Sequence, residues 1–297
     1  MTQTTMKFDA GMRAEMPGGG RHDAPGAPGA CSPARLGPLD MLTLAPGEID
    51  IWVAMVGDAL DADLAARFDR VLSADERARH GKFLFEKDRR RYLMTRALVR
   101  YVLSRYAPIA SAQWRFEATA FGRPFIVDPH PAVEDLTFNI SHSDQVVLLA
   151  LTRACRLGVD VEDLHRAVPL DIADSFFSAG EVRQLRSLPP ASQARRFLDF
   201  WTLKESYIKA HGKGLSLPLD QFGFELSDET TLHAYFDTSL NDTPRNWTFW
   251  QWRPTADSIA ALCAENRPDV ETRITVRRTL PFVRDEAMAF EVLRRSG

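Results

Sequence analysis

Cysteine is scarce in this sequence. Only three occur among 297 residues: Cys31, Cys155 and Cys263. An odd number without closely spaced pairs is not the pattern of a disulfide framework or of a cysteine-ligated zinc site, and it suits a reducing compartment. We therefore expect the protein to be cytoplasmic.

Long apolar runs and an excess of charge of one sign are also missing. No segment holds the ~18 consecutive apolar residues of a membrane span, and the N-terminus lacks a signal-peptide core, so we expect neither membrane insertion nor secretion. The net charge of -3 gives no general footprint for nucleic acid, and we expect no such partner. With 45% hydrophobic and 26% charged residues, the composition predicts a soluble globular protein of one large or two ordinary domains.

The N-terminal region is rich in glycine, proline and alanine, most densely from Gly18 to Pro38. It has too few large apolar side chains to offset the entropy of ordering, so we predict a disordered extension over residues 1–45. Alternating apolar residues from Ile49 to Met55 then predict that a strand opens the folded part.

Two short patterns recur 105 residues apart. They are Ser73-Ala-Asp-Glu76 with Arg90-Arg91-Tyr92-Leu93, and Ser178-Ala-Gly-Glu181 with Arg195-Arg196-Phe197-Leu198. Each Ser-x-x-Glu is a capping box that starts a helix. The repeat predicts two similar α+β halves, residues 46–153 and 154–265, followed by a tail at 266–297. A site between the halves is then natural.

Two carboxylates follow each other in a predicted strand from Leu157 to Glu162. The alternation of a strand sends Asp160 and Glu162 to one face and the two valines to the other. Magnesium commonly takes one or two protein carboxylates and leaves its other positions to water and substrate phosphates. The pair is therefore a candidate half of a magnesium site, although a solvated strand face would show the same alternation.

A predicted helix from Phe200 to Ala210 carries an acid and a base one turn apart. Glu205 and Lys209 lie opposite its apolar stripe, where they form either a surface ion pair or part of a site. Glu205 offers a third carboxylate for a metal or for general-base catalysis, and Lys204 and Lys209 offer cations for phosphate.

Two turn sequences carry candidate ligand-binding groups. Ser141 and His142 lie at a strand-to-turn junction, and Arg123 and Pro124 follow Gly122, which lets the backbone approach a ligand closely. A Ser-His hydrolase is disfavoured because adjacent side chains diverge in an extended segment and the Gly-x-Ser-x-Gly elbow is absent.

These motifs, taken in order, resemble the signature set of Sfp-type 4'-phosphopantetheinyl transferases. The set is Gly122-Arg123-Pro124, Asn139-Ile-Ser-His-Ser143, Gly158-Val-Asp-Val-Glu162 and Trp201-Thr-Leu-Lys-Glu-Ser-Tyr-Ile-Lys209. The resemblance extends from about Glu48 to Glu265. It implies two pseudo-twofold-related α+β halves with coenzyme A (CoA) in the cleft between them.

The resemblance also implies roles for individual residues. It assigns magnesium to Asp160, Glu162 and Glu205. It assigns CoA binding to Arg79, Arg91, Arg123, Pro124, Ser141, His142, Asp160, Lys204 and Lys209. Two positions depart from the family pattern: Tyr92 stands where a small hydroxyl residue occurs, and Arg123 replaces a lysine.

The reaction implied by the resemblance is magnesium-dependent transfer of phosphopantetheine to a serine of an apo acyl or peptidyl carrier protein. The serine attacks the β-phosphate of CoA, Glu205 acts as base directly or through water, and Lys209 stabilises the departing 3',5'-ADP. The alternatives are a CoA-binding or carrier-docking module without catalysis, and a metal-dependent phosphodiesterase. We expect a monomer, because the duplication already builds a site between halves.

Overall fold

The computed structural model describes residues 40–58, 60–228, 230–267 and 270–296. Most of the predicted disordered extension, residues 1–39, lies outside the described residues. The helices are α1 (Ala62–Val71), α2 (Ala74–His80), α3 (Glu86–Leu103), α4 (Ala173–Phe176), α5 (Ala179–Arg186) and α6 (Pro190–His211). No helix within the described ranges combines the length and apolarity that crossing a membrane requires.

The strands fall into two large sheets and one small hairpin. They are β1 (Glu48–Met55), β2 (Phe116–Ala118), β3 (Pro124–Ile126), β4 (Leu136–His142), β5 (Val146–Arg153), β6 (Leu157–Asp163), β7 (Phe222–Glu225), β8 (Thr231–Phe236), β9 (Trp247–Trp252), β10 (Ser258–Glu265), β11 (Arg273–Leu280), β12 (Arg284–Met288) and β13 (Val292–Ser296). The sheet orders are β12-β11-β1-β5-β4 and β6-β10-β9-β13-β8-β7, and β2 pairs with β3.

The order of elements in the first half recurs in the second. Strand β1, helices α2 and α3 and the β4–β5 hairpin are followed by β6, α5, α6 and the β9–β10 hairpin. Both predicted capping boxes form, at Ser73 with Glu76 and at Ser178 with Glu181. The predicted α+β fold of two related halves is confirmed, while the exact boundaries of the halves stay a prediction.

The predicted tail contributes strands to both sheets. Strand β11 pairs in parallel with β1 and extends the first sheet through β12. Strand β13 lies between β9 and β8 in the second sheet. Residues beyond the repeat therefore complete the sheets of both halves.

Apolar side chains form three cores. The helices of each half pack on one face of their own sheet, and the opposite faces of the two sheets pack together. The predicted stripe of Ile49, Ile51 and Val53 lies in this central core with Val159 and Val161. The two halves are therefore joined by a continuous apolar layer.

The edge strands β4 and β6 meet at the seam between the sheets. The Asn139 side-chain oxygen accepts a hydrogen bond from the Val159 amide at 2.9 Å, and the Ser141 hydroxyl accepts one from the Val161 amide at 3.3 Å. Side chains of β4 thus satisfy main-chain donors of β6, as buried amides require.

Helices α5 and α6 are tied by a buried ion pair. The Lys204 ammonium, fully buried, lies 2.8 Å from the Glu181 carboxylate and donates to the carbonyls of Leu219 (2.7 Å) and Phe222 (2.5 Å). Desolvation lowers the pKa of Lys204 and raises that of Glu181. All three ammonium donors are used, so Lys204 has a structural position in place of the predicted contact with CoA.

Replacing Lys204 with methionine is expected to lower the free energy of unfolding by roughly 3–5 kcal/mol, because it leaves the buried Glu181 carboxylate without its cation. Urea denaturation would measure the loss. The double variant Lys204→Met, Glu181→Leu should recover much of it, and Lys82→Met, at an exposed position, is the control. A Lys204→Met protein as stable as the control would contradict this role.

Candidate active site

Helix α6 lies unusually close to strand β6 at Gly158. A Cβ atom at this position would stand 2.0 Å from the Ser206 carbonyl oxygen and 2.4 Å from the Ala210 amide nitrogen. Only glycine allows such an approach of two backbones. The acidic side chains of β6 are thereby brought to the face of α6 that carries Glu205 and Lys209.

Asp160 is the centre of a buried hydrogen-bonded group. One oxygen, Oδ1, accepts from the Ser141 hydroxyl at 2.8 Å and from the Lys209 ammonium at 2.7 Å, and that ammonium lies 2.8 Å from the Ser141 hydroxyl. The other oxygen, Oδ2, is buried and has no hydrogen-bond partner within the described ranges. A buried acceptor without a protein partner is rare and is typical of a position that binds a ligand.

Glu162 and Glu205 share this environment with Asp160. Burial first and then the negative charge of Asp160 raise the pKa of each to about 7. Glu162 is paired with Arg166 at 2.5 Å. The structure thus brings together the three carboxylates that the sequence singled out, in a region where their charges repel one another.

The donor set suits a hard divalent cation, which prefers carboxylate oxygens. The unpartnered oxygen of Asp160 and the mutual repulsion of the three acids both favour a bound positive charge. Among residues with described positions, however, no three His, Cys, Asp or Glu side chains converge as a formed metal-binding group. Lys209 and Arg166 hold two of the carboxylates instead.

Basic residues of α3 lie beside the turn that follows Ser141 and His142. In this β4–β5 turn, Asp144 accepts hydrogen bonds from Arg91 at 2.7 Å and from Lys87 at 3.4 Å. Ser141 is buried, whereas His142 is partly exposed. The structure therefore places Arg91 near the segment that the resemblance assigns to CoA binding.

Two further predicted residues lie on neighbouring elements. Arg79 lies in the last turn of α2 near Tyr92; burial raises the pKa of the Tyr92 phenol, and the charge of Arg79 lowers it by less. Pro124 opens β3 and is partly exposed. Both positions allow contact with a ligand.

Arg123 is placed differently from the prediction. Its guanidinium donates to the main-chain carbonyls of Leu157, Lys209 and Ala210 and lacks a carboxylate partner within the described part of the chain. Its pKa is lowered, first by burial and then by the charge of Arg156. The Arg123 guanidinium, which the resemblance assigns to CoA binding, thus contacts β6 and α6.

Two residues of the site were not assigned roles from the sequence. Asn139 positions β6 through the Val159 amide, and Arg166 pairs with Glu162. Asn139 stood inside a recognised motif, but nothing in the sequence showed that β4 would lie against β6. Arg166 follows Glu162 by four residues, but this spacing predicts a side-chain pair only on a helix, and Glu162 lies in β6.

The raised pKa values predict that the protein loses stability as pH rises from about 4.5 to about 7 in the presence of a chelator. The folded state holds protons on Glu162 and Glu205 at a pH where the unfolded chain has released them, so ionisation favours unfolding. Urea titrations at several pH values should show a smaller loss for Glu205→Gln than for the wild type. Glu225→Gln, at an exposed position, should keep the wild-type slope, and equal slopes for all three proteins would contradict the prediction.

Family models match both halves of the chain. Residues 156–263 match the 4'-phosphopantetheinyl transferase superfamily, and residues 61–154 match a model described as 4'-phosphopantetheinyl transferase, N-terminal. The two matched regions meet near residue 155, between β5 and β6.

Curated relatives agree with these matches. The chain is 35% identical over 224 residues to the 4'-phosphopantetheinyl transferase HetI of Nostoc sp., covering 74% of this chain and 89% of the relative. It is 36% identical over 163 residues to the 4'-phosphopantetheinyl transferase Sfp of Bacillus subtilis, covering 55% and 70%. It is 29% identical over 258 residues to a phosphopantetheinyl transferase of Thraustochytrium sp., covering 81% and 88%. With both halves matched and nearly all of one relative covered, the chain belongs to the 4'-phosphopantetheinyl transferase superfamily.

Proposed function

We propose that this protein transfers the 4'-phosphopantetheine arm of CoA to a serine of an apo acyl or peptidyl carrier protein, with release of 3',5'-ADP and a requirement for Mg²⁺. The observation that carries the proposal is the buried Asp160, one oxygen of which is held by Lys209 and Ser141 while the other has no partner among the residues that the structure describes. The two glutamates beside it complete an acidic group that suits a phosphate-bound cation.

Asp160, Glu162 and Glu205 would hold the magnesium ion. When bound, this ion neutralises charge on the pyrophosphate of CoA and polarises the phosphorus under attack. Binding requires rearrangement, because Lys209 and Arg166 now pair with Asp160 and Glu162. The Lys209 ammonium would then be free to approach phosphate oxygens.

Glu205 is the proposed general base. Burial and the neighbouring acids raise its pKa to about 7 without a bound cation, and a cation would favour its ionised form, which can accept a proton. Glu205 takes the proton of the carrier serine hydroxyl, directly or through water, as the oxygen attacks the β-phosphate. Lys209 donates hydrogen bonds to the departing 3',5'-ADP.

The nucleotide end of CoA is proposed to lie along the β4–β5 turn. Ser141 and His142 would face it from β4, and Arg91 and Arg79 would supply positive charge from α3 and α2. The salt bridge of Arg91 to Asp144 keeps this cation at the turn. Pro124 would provide an apolar contact for the adenine base.

The proposal predicts a mass increase of one phosphopantetheine group on an apo carrier protein mixed with this protein, CoA and Mg²⁺. Intact-mass spectrometry would measure it. We expect a chelator to abolish the increase and Glu205→Gln to lower its rate by at least ~100-fold, because the variant loses both a metal ligand and the base.

The matched control is Glu225→Gln, which removes an exposed carboxylate on β7 and should leave the rate unchanged. CoA binding without any mass increase across several classes of carrier protein would support a binding module instead. The absence of both CoA binding and transfer would overturn the proposal as a whole. Full activity with chelator present would overturn the metal requirement alone.

A further inference from the structure

The β2–β3 hairpin of the first half reaches across to the second half through the Arg123 side chain. Thr119 and Arg123 close its turn with a main-chain hydrogen bond of 2.9 Å, and the Thr119 hydroxyl accepts from the Arg123 amide at 3.2 Å. Gly122 adopts a positive φ of 83° within this turn, a conformation that favours glycine. The turn therefore presents Arg123 in a defined direction.

The Arg123 guanidinium donates hydrogen bonds to three main-chain oxygens. Nη1 donates to the carbonyls of Lys209 at 2.7 Å and Ala210 at 3.0 Å, and Nη2 donates to the carbonyl of Leu157 at 3.2 Å. The first two carbonyls lie in the last turn of α6, where helix carbonyls lack intrahelical partners, and a cation is favoured at this end of the dipole.

The Arg123 guanidinium thus holds the start of β6 and the end of α6 together. Leu157 begins β6, three residues before Asp160, and the Lys209 whose carbonyl is bound is the residue whose ammonium bonds Asp160. The helix cap leaves room for this arrangement, since a Cβ at Gly212 would lie 3.1 Å from Arg123 Cδ. A shift of Arg123 would move Lys209 relative to Asp160.

We propose that Arg123 is a positioning residue that fixes the register of α6 on β6, and that it acts through Lys209 and Asp160 instead of binding CoA. This inference rests on the proposed transferase function. A guanidinium is suited to the task because its planar fork can bond several oxygens at once, which a lysine ammonium on a flexible stem does less well.

The first test compares Arg123→Met and Arg123→Lys with the wild type in carrier phosphopantetheinylation, using either CoA or 3'-dephospho-CoA. Misplacement of catalytic groups by about 1 Å can cost roughly 100-fold, so we expect kcat to fall about 10- to 100-fold in Arg123→Met. KM for CoA should change by less than about 3-fold. The fold loss should be the same for both substrates, and Arg123→Lys should remain at least about 5-fold below the wild type.

Arg156→Met is the matched control. Arg156 lies at the same end of β6 and influences the pKa of Arg123, but its guanidinium pairs with the Glu265 side chain at 2.6 Å. Its loss removes a nearby positive charge and leaves the bonds to the three carbonyls in place. We expect its kcat to stay within about 2-fold of the wild type.

The opposite kinetic pattern would overturn the inference. A rise in KM that Arg123→Lys restores, or an effect that disappears with 3'-dephospho-CoA, would show that Arg123 contacts the nucleotide. An Arg123→Met protein with wild-type kcat would also overturn it. Absence of transfer by the wild type would instead overturn the proposed function, so the two failures are distinct.

A second measurement needs no activity. Hydrogen exchange followed by mass spectrometry should show faster exchange in the last turn of α6 in Arg123→Lys than in the wild type, while the last turn of α3 is unchanged. The conservative variant keeps the charge and most of the volume, which favours its folding. Unchanged exchange at the end of α6 would contradict the positioning role even if kinetics were altered.

Discussion

Two edge strands, β4 and β6, meet at the middle of this molecule without a backbone ladder between them. The Asn139 and Ser141 side chains supply the acceptors that a neighbouring strand would have supplied. Ser141 has a double task, because the hydroxyl that accepts from the Val161 amide also contacts Asp160 and Lys209. Joining of the halves and assembly of the acidic site therefore depend on the same short segment.

Three acidic side chains, Asp160, Glu162 and Glu205, are buried or partly buried beside this seam. Burial first and then the charge of Asp160 raise the pKa of Glu162 and Glu205 to about 7, while one oxygen of Asp160 has no hydrogen-bond partner among the described residues. Lysine and arginine side chains offset part of the repulsion. Added positive charge would relieve the remaining repulsion among these carboxylates. That is the electrostatic condition for binding a cation together with phosphate.

The sequence predicted the local features of the fold well. The capping boxes at Ser73 and Ser178 and the alternation of Asp160 with Val161 depend on neighbours along the chain, which a sequence displays directly. The predictions and the structure differ where contacts between distant parts of the chain determine the position of a side chain. A lysine is usually expected at the surface, but Lys204 is buried because Glu181 and two carbonyls from distant residues satisfy its ammonium group. Likewise, the bonding of Arg123 to β6 and α6 requires knowing that a hairpin of one half touches the other.

The late position of β11 and β13 in the chain has a consequence for synthesis. Strand β1 gains its parallel neighbour only when Arg273–Leu280 has been made, and β9 and β8 gain theirs with Val292–Ser296. Until then, each half presents open strand edges, which are prone to pair with other chains. Both sheets can therefore be completed only after residues 273–296 have been made, and the edges of β1, β8 and β9 stay open while the preceding residues fold.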